Sequence, residues 1–192
     1  MNLLYGFRYR QRFRDIIAVI PGNAVSITEL CFGDIYIAGE CRRKEIRWTG
    51  IDINSAFVKF AGKKSYHAIH RDISIMDDLP PADVCIMSGS LYHFHFDLEN
   101  IILKMLHSAP VVILSEPVIN LSSGNGWIGK LSRRFTNAGK GHENFRFDEK
   151  ILLETLEQYK LRLDFTYRTI SVKKDMLIII SHERYQRSNS GL

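Results

Sequence analysis

Two carboxylates carry most of the chemical information in this chain. Glu29 lies near the end of a short apolar run, Ser26-Ile-Thr-Glu-Leu30, and Cys-Phe-Gly-Asp34 follows as a tight turn leading into a helical pattern. Strand, acid, turn and helix in that order read as a nucleotide-binding turn. Asp52 closes a second run, Arg47-Trp-Thr-Gly-Ile51, 23 residues after Glu29. Nucleotide-binding folds place a carboxylate for a ribose diol there, about 20 residues on. An ionised carboxylate accepts two hydrogen bonds from vicinal hydroxyls, each strengthened by the charge. An acid at a strand end also serves as a plain helix cap, so the ordered combination carries the reading and neither acid does so alone.

Groups able to activate a nucleophile are less well marked. His93 and His95 come just after the fourth apolar run, and His142 lies in a later loop. Imidazole is the commonest side-chain base near neutral pH, which makes His93 and His142 the candidate catalytic residues, with His95 beside the first. A structural role at the rim is the competing reading. The spacing of His93-Phe-His95 suits a metal, but no partner set of acids and histidines accompanies it, and no metal is assigned. Cys31, Cys41 and Cys85 are odd in number and lack CxxC spacing, so they support neither a disulfide framework nor a cysteine zinc site and read as buried thiols.

These groups must be positioned by 192 residues that are 45% apolar and 24% charged, enough for one domain with its own core and short for two. The expected organisation is one domain over 1–183, an inserted loop region at about 118–147, and a flexible tail at 184–192. No stretch approaches the roughly 20 apolar residues of a membrane span. The N-terminus alternates arginine with aromatics where a signal peptide would be apolar, so a cytoplasmic protein is expected. The net charge of +5 and a pI near 9.1 fit an anionic partner. Arg8, Arg10, Arg12 and Arg14 supply part of the excess and Lys130, Arg133 and Arg134 another, although solvated helix faces explain such clusters equally well.

The positioning elements follow from periodicity. Phe13, Ile16, Ile17 and Ile20 recur at helical spacing over 8–20, and Pro21-Gly22 stops that helix. Short apolar runs follow at 25–30, 46–51, 66–69, 84–87 and 111–114, with helix candidates at 35–41, 55–61 and 98–107 between them. Asn54 or Ser55 would cap the second of these helices. Such alternation implies a parallel sheet covered by helices on both faces. The end of the chain breaks the pattern. A helix carrying Ile151, Leu152, Leu156 and Tyr159 leads into a run at 161–170, and another at 176–181 follows after only Ser171-Val-Lys-Lys-Asp175. So short a link joins antiparallel strands, since a parallel pair needs a crossover of about a dozen residues or more.

A parallel sheet finished by an antiparallel hairpin, carrying these motifs, resembles the class I S-adenosylmethionine-dependent methyltransferases. The implied fold is α/β: a Rossmann-like, doubly wound, seven-stranded sheet, mostly parallel with an antiparallel C-terminal strand, in three α/β/α layers. The resemblance runs from about Tyr9 to Ser181. Glu29-Leu-Cys-Phe-Gly-Asp-Ile-Tyr36 is similar to the family's first motif, with Gly33 at the central glycine and Cys31 and Ile35 where flanking glycines are usual. Those side chains narrow the space beside the backbone, which also speaks against NAD, whose pyrophosphate needs close backbone approach. The resemblance implies that Glu29, Cys31, Gly33 and Asp34 line the S-adenosylmethionine site, with Tyr36 near its methionine portion and Tyr9-Arg10 closing over it. Asp52 would bind the ribose hydroxyls and Asp72 the adenine amino group, between Ile53 and Ile73. Ser88 and Tyr92, in Ser88-Gly-Ser-Leu-Tyr-His93, would edge the methyl-transfer site.

The implied activity is methyl transfer from S-adenosylmethionine to a small or medium-sized anionic acceptor, such as a sugar or lipid precursor. Acceptor specificity is expected in the long segment 118–147, where Trp127, Phe135, His142 and Phe145 supply walls and Lys130, Arg133, Arg134 and Lys140 attract a carboxylate or phosphate. Two other readings stay open. The atypical first motif fits a methyltransferase-like binding or scaffold protein without turnover, and the basic patches fit a nucleic-acid methyltransferase with salt-dependent binding. The last ranks below a small acceptor because no separate nucleic-acid module fits in the length.

Overall fold

Strand β1 (Ser26–Leu30) is buried along its whole length and lies inside the sheet, third of seven strands in space. A computed structural model describes residues 7–118, 145–172 and 175–182 of the chain. The remaining strands are β2 (Arg47–Asp52), β3 (His67–His70), β4 (Val84–Ser88), β5 (Val111–Pro117), β6 (Phe165–Val172) and β7 (Asp175–His182), in the spatial order β3-β2-β1-β4-β5-β7-β6. All neighbours from β3 through to β5 are parallel. β7 runs antiparallel to both β5 and β6, as the short link between the last two strands requires. The last strand in chain order therefore lies inside the sheet, and β6 forms its edge.

The sheet is buried on both faces because its strands are apolar at successive positions, which period 2 sends to opposite sides. Val84, Ile86, Val111, Ile113, Leu177 and Ile179 face one layer, and Cys85, Met87, Val112, Leu114, Ile178 and Ile180 face the other. Helices α1 (Phe7–Ala18), α2 (Tyr36–Arg43) and α3 (Ser55–Lys63) cover the first face through Phe13, Ile16, Ile37, Ala38, Cys41 and Ala61. Helices α4 (Leu98–Ser108) and α5 (Glu149–Arg162) cover the second through Ile101, Ile102, Met105, Leu152 and Leu156. Each such Leu, Ile or Phe contributes about 1.5–3 kcal/mol by leaving water.

Local chemistry sets the ends of these elements. The Asn54 side chain, rather than Ser55, caps α3 by accepting from the Ala56 N–H at 2.9 Å, and Asp148 caps α5 by accepting from the Ile151 N–H at 2.7 Å. Caps of this kind are worth about 1 kcal/mol each. The run expected to extend over 161–170 starts four residues later, at Phe165. α5 continues through Arg162 with Leu161 on its exposed side, and a turn with Asp164 at φ +51° then redirects the chain. Arg12 on α1 ties that helix to the start of β7 through an ion pair with Asp175 at 2.6 Å. Among the described residues no helix is long and apolar enough to cross a membrane.

Candidate functional site

The chain leaves β1 toward α2 on one face and leaves β4 toward α4 on the other, and β1 and β4 are neighbours. Diverging connections of this kind open a crevice at the carboxyl ends of the strands, the place where open α/β sheets bind ligands. Leu30, Asp52, His70, Ser88 and Glu116 all stand at or near that edge, each at the end of its strand.

The turn after β1 is built from two left-handed residues, Cys31 at φ +52° and Gly33 at φ +51°. Gly33 takes that conformation without strain, whereas Cys31 carries a side chain through it, at a cost of about 1–2 kcal/mol. The Cys31 N–H donates to the Ile51 carbonyl at 2.7 Å, and the Asp34 N–H closes back on the Phe32 carbonyl. Asp52 fastens the turn from the neighbouring strand. Its Oδ2 accepts from the Gly33 N–H at 3.1 Å and its Oδ1 from the Asn54 N–H at 2.7 Å. Burial raises the Asp52 carboxyl above its ordinary range, while those two N–H groups and the nearby His70 oppose the rise. Each oxygen has a further lone pair, so both still accept from a diol.

Glu29 lies further back on β1 and has a partner of its own. Period 2 places it on the same face as Ile27, and the register sets it opposite Gly50. The Trp48 indole crosses Gly50 and donates from Nε1 to Glu29 Oε2 at 2.7 Å, with Phe32 packed edge-on at 5.3 Å. Burial pushes the Glu29 carboxyl well above its usual value, against the indole bond and with Asp34 and Asp52 adding to the rise. The carboxyl is thus turned to the indole under the glycine turn.

Toward the outer side of β2, Ile53 is exposed while Ile73 is buried in the core. Asp72 Oδ1 caps the short turn Ile73–Ile75, accepting from the Ser74 N–H at 3.0 Å and from its hydroxyl at 2.6 Å. Tyr36 stacks on Phe13 of α1 with ring centroids 5.3 Å apart.

On the β4 side, Ser88 is followed by Gly89 at φ +67° and by the turn Leu91–Phe94. Tyr92 is buried beneath the Arg146 guanidinium, which lies 3.6 Å from the ring centroid. His93 is exposed with its ring against Tyr92, while His95 stacks on Phe145 at 4.2 Å and so anchors the segment that enters α5. His142, Trp127, Phe135, Lys130, Arg133, Arg134, Lys140, the Tyr9 side chain and the tail at 184–192 lie outside the described residues.

Glu116 was not singled out from sequence. It ends the apolar strand β5, is 1% exposed, and its Oε2 accepts from the Leu91 N–H at 3.0 Å. Burial pushes its carboxyl up to about 8, against the Leu91 and Tyr92 N–H groups and the guanidiniums of Arg12 and Arg146. The available signal was an acid at the end of a run, Val111-Val-Ile-Leu-Ser-Glu116, that otherwise reads as fully buried. A pH dependence of stability follows. The unfolded chain releases this proton near 4.5, whereas the folded chain keeps it to about 8. The folded state binds more protons between those values, so stability is full below the lower one and falls as pH rises toward the upper one. Urea unfolding is expected to give a stability lower by on the order of 2 kcal/mol at pH 7 than at pH 5, with most of the difference gone in Glu116→Gln.

No protein-family model and no curated protein sequence matches the chain. Solved structures do match in fold. The methyltransferase domain of bacterial CtHen1-C superposes with a TM-score of 0.71 at 15% identity, over 91% of this chain and 98% of that one. Magnesium protoporphyrin IX methyltransferase (ChlM) from Synechocystis PCC 6803, with bound SAH, gives 0.66 at 15% identity over 95% and 92%. The DhpI-SAM-HEP complex gives 0.66 at 12% identity over 93% and 89%. With its strand order, reversed β7 and crevice at the β1–β4 edge, the chain has the fold of the class I S-adenosylmethionine-dependent methyltransferases.

Proposed function

We propose that this protein binds S-adenosylmethionine in the β1–β4 crevice and transfers its methyl group to a small or medium-sized anionic acceptor. The observation that carries the reading is Asp52: a buried carboxylate at the end of β2, braced by the Gly33 and Asn54 N–H groups and aligned with the glycine turn. That is the arrangement a ribose diol requires, a fixed acceptor beside a fixed turn. Ser88 Oγ, buried at the end of β4 and without a hydrogen-bond partner among the described residues, fits a ligand in the same crevice. The neighbours solved with SAM or SAH favour the same cofactor.

When bound, the cofactor supplies an electrophilic methyl carbon on a sulfonium. The chain's own residues then have to hold and align, because methyl transfer needs chiefly a nucleophile placed behind that carbon. Asp52 holds the ribose end and Ile53 lies beside the adenine. Gly33 and Cys31 present backbone to the methionine portion, alongside Asp34, and Ser88 and Tyr92 bound the reacting end. In this proposal Glu29 supports the turn from below through Trp48, and Asp72 shapes the adenine rim through its cap. His93, exposed beside Tyr92, puts an imidazole at the rim where an acceptor would be oriented, and His142 is its counterpart in the loop.

The acceptor reading rests on chain connectivity and charge. Segment 119–144 is flanked by Val118, just after β5, and by Phe145, which stacks on His95, so the described residues on either side of it lie on the β4–β5 side of the sheet. It carries Lys130, Arg133, Arg134 and Lys140 against one acid, Glu143. Such an excess draws a carboxylate or phosphate toward the site. The neighbours named for magnesium protoporphyrin IX and for HEP differ from one another, so no particular acceptor is carried over.

Thermal-shift titration with S-adenosylmethionine, S-adenosylhomocysteine and NAD, confirmed by calorimetry, tests the proposal. A ligand at a hundredfold excess over its dissociation constant adds about 2.7 kcal/mol, which is several degrees for a domain of this size. The expected result is a shift with both sulfur ligands and none with NAD. No binding of either sulfur ligand at millimolar concentration would overturn it and favour the scaffold reading, which the strained Cys31 at a glycine position otherwise leaves as the alternative.

A further inference from the structure

Among the described residues three buried side-chain polar atoms lack a hydrogen-bond partner: Arg12 Nε, Ser88 Oγ and Glu116 Oε1. Their residues are neighbours. Ser88 pairs with Ser115 across β4 and β5, so Glu116 is the next residue on the adjacent strand. Gly89, directly after Ser88, lies under the Arg12 guanidinium, since a Cβ placed there would fall 2.7 Å from Nη1. Arg12 is in turn fixed by Asp175, 2.6 Å away. Period 2 turns Ser88 and Glu116 toward opposite faces of the sheet, and the Arg12 guanidinium is the cation that acts on the Glu116 carboxyl, so Arg12 and Glu116 stand at the β4–β5 side of the crevice, each with one buried atom unmatched. Buried polar atoms are nearly always paired, and exceptions ask for a reason.

The direction of the cofactor supplies one. With Asp52 on β2 holding the ribose, as proposed above, the sulfonium would lie on the β4 side of β1, and β5 is the next strand beyond β4, about 4.8 Å on. Glu116 is the buried acid on that side. The described charges facing it are Arg12 from α1 and Arg146 from the segment entering α5, with Asp175 of β7 already engaged by Arg12. Asp34 in the turn is half-buried and better screened by water.

We infer that Glu116 is the counter-charge to the cofactor's sulfonium, giving up its proton as the cation enters the crevice and taking the acceptor's proton as the methyl leaves sulfur. This rests on the function proposed above. In the transfer, a lone pair of the acceptor atom forms the new bond to the methyl carbon. The carbon–sulfur bond breaks and its electron pair stays on sulfur, which becomes a neutral thioether. The proton on the acceptor atom passes to Oε1, so the carboxylate is neutralised as the positive charge disappears. Its starting state suits this, because burial keeps Glu116 mostly protonated at neutral pH in the free protein. The cycle discriminates substrate from product: the charged cofactor meets a carboxylate, and the neutral product meets a carboxyl.

Calorimetric titration of the full chain at pH 7 with S-adenosylmethionine and with S-adenosylhomocysteine, in two buffers of different ionisation heat, counts the protons. About one proton released per S-adenosylmethionine and almost none per S-adenosylhomocysteine is the expected result. Glu116→Gln keeps an oxygen for the Leu91 N–H, and should lose the release and weaken S-adenosylmethionine about tenfold while leaving S-adenosylhomocysteine within about twofold. Equal proton counts for the two ligands, or a release that persists in Glu116→Gln, overturns the inference. If that variant does not fold, the wild-type affinity ratio of the two ligands between pH 6 and pH 9 decides. It should rise with pH and level off near 8, and a flat ratio overturns the inference. The amino-acid end is common to both ligands and cancels. Binding of neither ligand removes the proposed function and this inference together, whereas binding of both without the sulfonium-linked proton removes the inference alone.

Discussion

Asp52→Ala should weaken S-adenosylhomocysteine binding about a hundredfold, the loss expected when two charge-assisted hydrogen bonds to a diol go together. The effect has two sources. The variant removes the acceptor for the ribose hydroxyls, and it also frees the Gly33 N–H, which Asp52 Oδ2 holds at 3.1 Å. The turn, with two residues at positive φ, then relies on the Cys31 N–H bond to the Ile51 carbonyl and the Asp34 N–H bond to the Phe32 carbonyl. Asp52→Asn separates the sources. Its side-chain oxygen still accepts from one N–H, but the amide cannot accept from a whole diol, so about a tenfold loss is expected with the turn intact. Calorimetry gives the affinities, and a melting curve of each variant without ligand shows how much of the loss is structural. Equal affinities for all three proteins would place the cofactor elsewhere.

Gly50→Ala is the other large effect, and it lies outside the crevice. A Cβ at Gly50 would overlap the Trp48 indole, coming 2.6 Å from Cζ2, and would sit 2.7 Å from the Phe32 ring. Neither ring has room to withdraw. Trp48 is 6% exposed and Phe32 is 4% exposed, and the indole also packs on Tyr66. The methyl must therefore push the indole off Glu29, so the cost combines overpacking with a buried carboxyl that has lost its donor. Together these are worth about 3 kcal/mol or more, or roughly ten degrees of melting temperature in a chain of this length. Denaturant midpoints and the near-ultraviolet signal of Trp48 are the measurements. A variant as stable as the wild type would mean that the indole does not lie over Gly50.

The contrast between these two positions shows what was legible in the sequence. Asp52 could be read as a strand-end carboxylate because its surroundings are local: its own strand, the next turn, and a spacing from Glu29. The parallel sheet and the reversal of β7 were also legible, the first from alternating runs and helical stretches and the second from one short link. Glu29 was read as part of the cofactor site by the same local logic. Its contact with Trp48 depends on the register between two strands, which places the indole across Gly50, and no local pattern encodes register. Glu116 was hidden for a similar reason. The acid itself is plain in Ser115-Glu-Pro117, but its burial depends on Leu91, Arg12 and Arg146, which come from three other parts of the chain. Asp72 was read as an adenine contact, and its bonds to the Ser74 N–H and hydroxyl came from the structure. The stack of His95 on Phe145 joins residues fifty positions apart and was not legible.

The place of β7 also bears on how the chain reaches this state. β6 has β7 as its sheet neighbour and β5 meets β6 only through it, so the strand made last is the one that joins them. During synthesis the preceding elements can assemble as far as β5, but that strand then presents an open edge, and β6 has nothing to pair with. Completion waits for residues 175–182 to emerge, fold back on β6 and close the open edge of β5. Until then the half-built sheet exposes the backbone of a mostly apolar strand, the kind of edge that pairs with other chains. For a nascent copy of this protein, the moment of greatest exposure to aggregation or to a chaperone falls just before the last described strand leaves the ribosome.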